Sequence, residues 1–231
     1  VSVLAIIPAR GGSKRIPRKN IKDFMGKPII AYSIETSIKS GLFDRVIVST
    51  DDREIAEISK GHGAEVPFFR SPENSNDNAS TVDVLLEVLE KLIENGEKYD
   101  ILCCLYPTSP LLDYQTLLKS LESFKKNKVD SLVPVVKFSY PPQRALTLNS
   151  GLLKMETPEN LNMRSQDLKP LYHDAGQFYW IKVDTLLKEK KLFTNRSGAY
   201  ELSEKSVQDI DNPIDWEMAE FKFEFLRAKN E

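Results

Sequence analysis

The chain has 231 residues, and its 41% apolar and 29% charged content is that of an ordinary globular protein. Lys and Arg total 32 against 34 Asp and Glu, a net charge of −2, which lacks the basic excess of a dedicated nucleic-acid binder. No apolar run approaches the ~20 residues of a membrane span. The opening stretch is apolar or small for seven residues, has no basic flank, and ends at Pro8. That is too short for a signal peptide, so a cytoplasmic protein with no membrane partner is expected. The two cysteines, Cys103 and Cys104, are adjacent, and there are two histidines. Neither a disulfide framework nor a zinc-finger spacing fits them. The expectation is two buried thiols on opposite faces of one strand.

Apolar runs and helical patterns alternate through residue 136. Residues 2–8 predict a strand. Residues 26–39 carry Ile30, Ile34 and Ile38 at helical spacing. Residues 45–50 predict a buried strand. A helix begins at Asp51-Asp52-Arg53-Glu54, with acids in its first turn, and ends at Gly61 and Gly63. A short strand is predicted over 65–69, an amphipathic helix over 81–94, a strand over 100–106, a helix over 113–126 and a strand over 130–136. This order predicts a largely parallel sheet covered on both faces, a Rossmann-like three-layer α/β/α fold. Residues 138–172 break the rhythm with Pro141, Pro142, Pro158 and Pro170. A structureless loop of that length is improbable in a compact domain. It is expected to be a small β-rich insertion packing on something, such as a second subunit, with a mobile lid as the alternative. A strand over 175–183 and a helix over 211–228 close the chain, the helix presenting Trp216, Ala219, Phe223 and Leu226 on one stripe. The expected division is a core at 1–137, the insertion at 138–172 and a return to the core at 173–231.

The first strand runs into Pro8-Ala9-Arg10-Gly11-Gly12-Ser13-Lys14-Arg15-Ile16-Pro17-Arg18-Lys19-Asn20. In an open parallel sheet, ligands bind beyond the carboxyl ends of the strands. Gly11 and Gly12 let the backbone turn and offer N–H groups to an anion. Five cations (Arg10, Lys14, Arg15, Arg18 and Lys19) crowd into ten positions with no acid among them. They call for solvent or for a polyanion such as a triphosphate. A solvated basic loop is the plain alternative. The loop matches neither the P-loop nor the G-x-G-x-x-G pattern, so P-loop kinases and dinucleotide dehydrogenases are disfavoured.

Asp209-Ile210-Asp211 follows a strand-like stretch at 206–208. Residues i and i+2 of an extended segment face one way, so both carboxylates share a side. Such a pair raises one pKa unless a cation lies between, and Mg²⁺ takes one or two carboxylates plus substrate phosphates. The alternatives are a surface acidic pair, or Asp211 as the cap of the last helix.

The run from Ile6 to Lys14 with Arg18-Lys19-Asn20 resembles the signature of the CMP-sialic-acid-synthetase-like cytidylyltransferases, which activate nine-carbon sialic-acid-like sugars. So do, in order, Gly26-Lys27-Pro28-Ile29, Val48-Ser49-Thr50-Asp51-Asp52, Arg70-Ser71-Pro72-Glu73, Pro107-Thr108-Ser109-Pro110-Leu111 and Asp209-Ile210-Asp211. His173-Asp174-Ala175-Gly176-Gln177-Phe178-Tyr179-Trp180 and Asp215-Trp216-Glu217-Met218-Ala219-Glu220 are more similar to the branch that acts on pseudaminic acid. The resemblance implies that CTP and a sugar acid give a CMP-sugar and pyrophosphate, with Mg²⁺, by in-line attack of the anomeric hydroxyl on the α-phosphorus. It implies that Ala9, Arg10, Gly11, Gly12, Ser13, Lys14, Lys19 and Asn20 hold the nucleotide, with Lys19 foremost in meeting developing charge. Arg70 and Ser80 match positions around the cytosine and ribose, although an ion pair of Arg70 with Glu73 is an alternative. Asp209 and Asp211 match the metal and base positions, in either assignment. Tyr106, Thr108, Ser109, Arg164, His173 and Gln177 are the sugar-site candidates. Arg164 stands to reach across a homodimer, since the family's insertion is a dimerisation element. His173 beside Asp174 has a structural reading as well. The sialate enzymes commonly read Gln-Pro-Thr-Ser-Pro-Leu-Arg where this chain reads Tyr106-Pro107-Thr108-Ser109-Pro110-Leu111-Leu112. That departure points away from plain N-acetylneuraminate, which stays an alternative sugar together with legionaminate. A metal-dependent glycosyltransferase is a second reading of Asp-x-Asp, but it holds only a diphosphate and places its acids mid-chain. A non-catalytic nucleotide-binding module is the third, and the retained acids and cations oppose it.

Overall fold

The uninterrupted apolar run Val3–Pro8 forms β1, an inner strand of the sheet. The computed structural model describes residues 1–76 and 78–228; the last three residues of the expected closing segment lie outside them. A small hairpin follows the basic loop, β2 (Asp23–Phe24) and β3 (Lys27–Pro28). Met25 and Gly26 turn it at φ 51° and 97°. The helix expected from residue 26 therefore starts only after that turn, as α1 (Ile29–Ser40). Then come β4 (Arg45–Ser49), α2 (Arg53–Gly61), α3 (Thr81–Glu94), β5 (Ile101–Leu105), α4 (Tyr114–Asn127) and β6 (Ser131–Lys137). Asp52, Ser80 and Asp113 cap the three helices, each accepting an N–H of the first turn.

The insertion contains one exposed hairpin, β7 (Leu146–Asn149) with β8 (Leu152–Met155), preceded by one 3₁₀ turn and followed by two. The chain returns as β9 (Tyr172–Asp174) and β10 (Phe178–Lys182) and continues through α5 (Val183–Glu189), β11 (Ser197–Glu201) and α6 (Pro213–Arg227). The sheet order is β11-β6-β10-β5-β1-β4, with β9 on the end of β6. β4, β1 and β5 are mutually parallel, as are β6 and β11, while β9 and β10 run antiparallel to their neighbours.

Helices α1, α2 and α4 cover one face, with Ile34, Ile55, Leu117 and Phe124 against Ile7, Val48 and Cys103. Helices α3 and α5 cover the other, with Leu85, Leu89 and Leu186 against Leu4, Ile47 and Cys104. This is the expected three-layer α/β/α arrangement, and it puts the two thiols on opposite faces. The sheet is mixed, because the strand expected over 175–183 enters antiparallel. The strand expected over 65–69 reduces to one bridge between Ile47 and Glu65; Pro67 has no N–H with which to extend a ladder. Residues 206–208 are not a strand either: Ser206 closes a turn onto Ser203, and the Val207 carbonyl accepts from the Lys222 ammonium at 2.6 Å. Helix α5 and edge strand β11 were not anticipated.

Candidate active site

β1 is followed by β4 on one side, and β5 then pairs on the other. The crevice outside the carboxyl ends of β1 and β5 is thus the switch point where such sheets bind ligands. A cleft of about 450 Å³ opens there. Arg10, Ser13, Lys14, Arg15, Lys19 and Asn20 line it from the first loop, Arg70, Asn74, Asn76, Ser80 and Thr81 from the second crossover, Tyr106 and Thr108 from the end of β5, and Asp211 from the approach to α6.

The loop is folded by its own polar groups. The Ala9 N–H donates to the Ser49 carbonyl at 2.9 Å, extending the β1–β4 ladder, and leaves Ala9 buried beneath the cleft. The buried Asn20 amide donates to the Arg10 carbonyl at 2.9 Å and pulls the loop closed. The glycines serve differently from expectation. The Gly11 N–H donates to Asp51 Oδ1 at 2.9 Å. A Cβ at Gly11 would lie 2.8 Å from Asp52 Oδ2, so this residue is small because the loop crosses a carboxylate. Gly12 borders open space. Neither is among the residues lining the cleft.

Lys19 reaches across to the far end of the sequence. Its ammonium donates to the Ile210 carbonyl at 2.5 Å and stands 3.8 Å from Asp211 Oδ1. Burial lowers its pKa, while Asp211 and Asp209 pull the other way. Arg15 donates to Asp211 Oδ1 at 2.9 Å. The acidic segment is fixed from behind: Asn212, not Asp211, caps α6, in a reciprocal box with Asp215, and Asp215 also accepts the Asp211 N–H at 2.9 Å. Asp209 stands beside the Gly176 kink between β9 and β10 rather than in the cleft wall. Desolvation raises its pKa, and the Asp211 charge adds to that.

Arg70 is buried, and its partner is Ser49, through Nε to Oγ at 3.2 Å and Nη2 to the carbonyl at 2.5 Å. The surface pairing with Glu73 is not what holds it. Burial lowers its pKa against the charges of Asp51 and Glu87. Ser80 caps α3 and its hydroxyl donates to Asp83 Oδ2 at 2.7 Å, and the α3 N-terminus borders the cleft through Ser80 and Thr81. The Tyr106 hydroxyl lies 3.3 Å from Thr81 Oγ1, and its ring meets Tyr179 edge-on at 5.5 Å. Tyr179 donates to Asp174 Oδ2 at 2.6 Å.

Four sugar-site candidates are not part of the cleft lining. Ser109 is buried and donates to the Gln177 carbonyl; the buried Gln177 amide donates to the Ser206 carbonyl at 2.8 Å. The first ties the loop after β5 to the start of β10, and the second ties that start to the 3₁₀ turn Glu204–Ser206. His173 is exposed on β9, its Nδ1 2.8 Å from the Asp174 carbonyl oxygen and its ring 4.9 Å from that of Phe138. Arg164 is exposed in the insertion. Conversely, Arg15 had no individual role in the sequence, and Asn74, Asn76 and Thr81 had none at all. Asn74 is oriented by its bond to Glu87 at 2.6 Å, a contact across two elements that no local pattern announces.

Among the described residues, no group of three or more His, Cys, Asp or Glu side chains is arranged to hold a metal. The donor chemistry of Asp209 and Asp211 nonetheless fits magnesium, which needs only one or two carboxylates when phosphates complete its shell. The Arg15–Asp211 pair is exposed on both sides. Such a pair contributes ~0.2–1 kcal/mol, so it yields readily to a divalent cation.

A family model described as "Cytidylyltransferase" matches residues 4–227. The pseudaminic acid cytidylyltransferase of Campylobacter jejuni subsp. jejuni serotype O:2 is 44% identical over 221 residues, 95% of each chain. The CMP-N,N'-diacetyllegionaminic acid synthase of Legionella pneumophila is 31% identical over 221 residues, 94% of each chain. Among solved structures, a CMP:2-keto-3-deoxy-manno-octonic acid synthetase complexed with CTP superposes with a TM-score of 0.72 over 100% of both chains at 19% identity, a likeness of fold. No described helix is long and apolar enough to cross a membrane.

Proposed function

The chain belongs to the cytidylyltransferase family, and from that premise we propose that it activates a nine-carbon sialic-acid-like sugar, pseudaminic acid, by the reaction CTP + sugar acid → CMP-sugar + pyrophosphate. The observation that carries the reading is the convergence of Lys19 with the 209–211 segment in the cleft that Arg10 and Lys14 also line. Cations for a triphosphate and the Asp211 carboxylate meet there, and Asp209, behind the cleft wall, is near enough to act on the Lys19 charge. The choice of sugar is supported by the 44% identity to an enzyme named for pseudaminic acid. Tyr106, where the sialate enzymes commonly carry Gln, supports it as well.

No protein nucleophile is needed. The sugar hydroxyl attacks the α-phosphorus in line, and pyrophosphate leaves; catalysis is positioning and charge stabilisation. Arg10, Lys14 and Lys19 face the triphosphate, and Asn20 and Ser13 complete its cradle. Arg70 and Ser80 border the base and ribose. Asp209, whose carboxyl is raised by desolvation, accepts the proton of the attacking hydroxyl. Asp211, reached by Arg15 and Lys19, is the carboxylate best placed toward magnesium, with Asp209 completing the pair. Magnesium, when bound, neutralises phosphate charge.

Exposed leucines on the insertion hairpin support a homodimer. Two buried free thiols fit a reducing cytoplasm. The test is pyrophosphate release from CTP with pseudaminic, legionaminic and N-acetylneuraminic acids and the eight-carbon acid Kdo, repeated with UTP and ATP. Release with CTP and pseudaminic acid is expected. No release with any sugar would remove the proposed activity, and preferred release with another sugar would remove only the sugar assignment.

A further inference from the structure

Asp51 and Asp52 lie directly after β4, outside the cleft lining, and the reaction described above gives them no role. Both are nonetheless engaged by the phosphate loop. Asp51 Oδ1 accepts the Gly11 N–H at 2.9 Å near the loop's start. Asp52 accepts from Arg18 near its end, Oδ2 from Nη1 at 2.5 Å and Oδ1 from Nη2 at 3.1 Å. Nη2 also reaches Glu54 Oε2 at 2.5 Å. Asp52 is anchored in turn, because Oδ1 accepts the Ile55 N–H at 3.0 Å as the cap of α2. Both ends of the loop are therefore pinned to successive carboxylates of one rigid strand-to-helix turn.

Arg18 is also where the backbone reverses. It sits at φ 55° and ψ 30°, the left-handed region that a side chain with a Cβ disfavours. Its carbonyl accepts the N–H groups of Ile21 and Lys22, each at 3.0 Å, which starts the 3₁₀ turn Lys19–Ile21. The reversal sends two consecutive cations in different directions. Arg18 goes to α2, and Lys19 goes to the Ile210 carbonyl. A two-toothed guanidinium–carboxylate fork is directional, and an ammonium would not hold the plane in the same way.

We propose that Arg18 and Asp52 form a clamp whose role is to hold the strained turn that aims Lys19 at the reacting phosphates, with the Asp51–Gly11 contact fixing the loop's other end. Arg18 and Asp52 are positioning residues. The inference rests on the role given above to Lys19.

Asp52→Asn tests it cleanly, because Asn caps a helix as well as Asp does and α2 is retained, while the charge facing Arg18 is lost. Arg18→Gly keeps the left-handed turn without the fork, and Arg18→Lys keeps the charge without the second tooth. Pyrophosphate release and thermal unfolding are measured on the whole chain. Asp52→Asn is expected to lower kcat about ten- to a hundredfold, the size of an ångström-scale misplacement, with the KM for sugar and the unfolding midpoint little changed. Arg18→Gly should match it, and Arg18→Lys should recover part of the rate. In a Lys19→Ala background, Asp52→Asn should cost nothing further, since the hydrogen bonds that Asp52 receives from the loop come from Arg18. Equal losses with and without Lys19, an unchanged rate, or a fall in unfolding midpoint alone would overturn the clamp. A higher KM for CTP at unchanged kcat would also overturn it, by making Arg18 a phosphate ligand. An active Lys19→Ala single variant would instead defeat the role of Lys19 itself.

Discussion

The Lys19 ammonium stands 3.8 Å from the Asp211 carboxylate, although the two lie near opposite ends of the sequence. The first loop and the segment before α6 are brought together by the fold, and the ammonium also donates to the Ile210 carbonyl. On the proposed mechanism, replacing Lys19 by Ala removes a donor to the developing phosphate charge, an effect of ~10²–10³ in kcat for a comparable donor. The core should be unharmed, because the side chain lies among polar groups. A kcat within twofold of the parent, in the same release assay, would take Lys19 out of the mechanism.

The desolvation that lowers the Lys19 pKa also gives the enzyme an alkaline limb. The ammonium is the competent form, so kcat/KM falls as pH rises toward a value below the ordinary 10.5. Bound triphosphate favours the charged form, so the limb in kcat lies at higher pH than the limb in kcat/KM. Stability carries the opposite sign. The unfolded chain holds this proton more tightly, so folding gains as pH rises from the lowered pKa to 10.5. Paired pH–rate profiles, with Lys19→Ala lacking the limb in its residual activity, check the assignment.

Asp209 predicts an acid limb. Its carboxyl is raised by desolvation and by Asp211, so it protonates at a higher pH than the ordinary 3.8. A base there is lost as pH falls through the raised value. The fold binds this proton more tightly than the unfolded chain does. Its contribution to stability is therefore fully present below 3.8 and is lost as pH rises through the folded value. Asp211→Asn removes the repelling charge and should move the Asp209 titration to lower pH, seen directly in carboxyl carbon NMR. The same variant should raise the magnesium needed for half-maximal rate by about tenfold or more, since even an outer-shell partner is worth ~10–100-fold in metal affinity. An unmoved titration would show that burial alone shifts Asp209, and an unmoved metal curve would remove Asp211 from magnesium binding.

What the sequence showed and hid follows from the range of each interaction. Buried runs such as Val3–Pro8 and Ile101–Leu105 are apolar at every position, and the 3.6-residue stripe of Thr81–Glu94 is local, so strand and helix were legible there. Edge strand Ser197–Glu201 alternates between exposed and half-buried residues and has little apolar signal. Helix Val183–Glu189 is two turns long, too short for periodicity to speak. At the site, charge density flagged the first loop, but it could not tell a phosphate-facing cation from one facing another element. Arg18 turns to Asp52, and Arg15 turns to Asp211. Both are tertiary facts, as are the burial of Ser109 and Gln177 where a sugar site was expected.

Tyr106 is the side chain on which sugar choice is expected to turn. It lines the cleft with its hydroxyl at Thr81 and its edge on Tyr179. Tyr106→Gln exchanges a ring and a hydroxyl for a shorter amide, as the sialate enzymes commonly have. Losing the edge-on contact costs ~0.5–1.5 kcal/mol beyond area, which a chain of this size tolerates. The ratio of kcat/KM for pseudaminic over N-acetylneuraminic acid should fall by about tenfold or more, the discrimination of one or two contacts. The KM for CTP should be little changed. An equal loss on both sugars would assign Tyr106 to packing instead.

The insertion hairpin carries the test of the homodimer. Leu148 and Leu153 face each other across the β7–β8 ladder, and both are about two-thirds exposed, at 67% and 68%. Leu146, two residues from Leu148, shares that face and is 56% exposed, whereas Leu152, paired with Asn149, is 76% exposed on the opposite face. Scattered exposed leucines need no explanation, but a contiguous apolar patch on a two-stranded ribbon marks an interaction surface. A ribbon of two strands is also marginal alone in water and gains from being covered. Leu148→Lys with Leu153→Glu replaces the apolar pair by opposite charges directly across the ladder, which preserves cross-strand attraction while making the face polar. The hairpin should persist, and the unfolding midpoint should fall little at equal protomer concentration if the core is independent of assembly. Sedimentation should show twice the chain mass for the parent and one chain for the double variant. If activity then falls with the loss of the dimer, while the nucleotide still binds, a residue of the neighbouring copy is required at the sugar end, and Arg164 is the first to substitute. A parent that sediments as a monomer removes the dimer outright, and a variant that remains dimeric places the contact on another face.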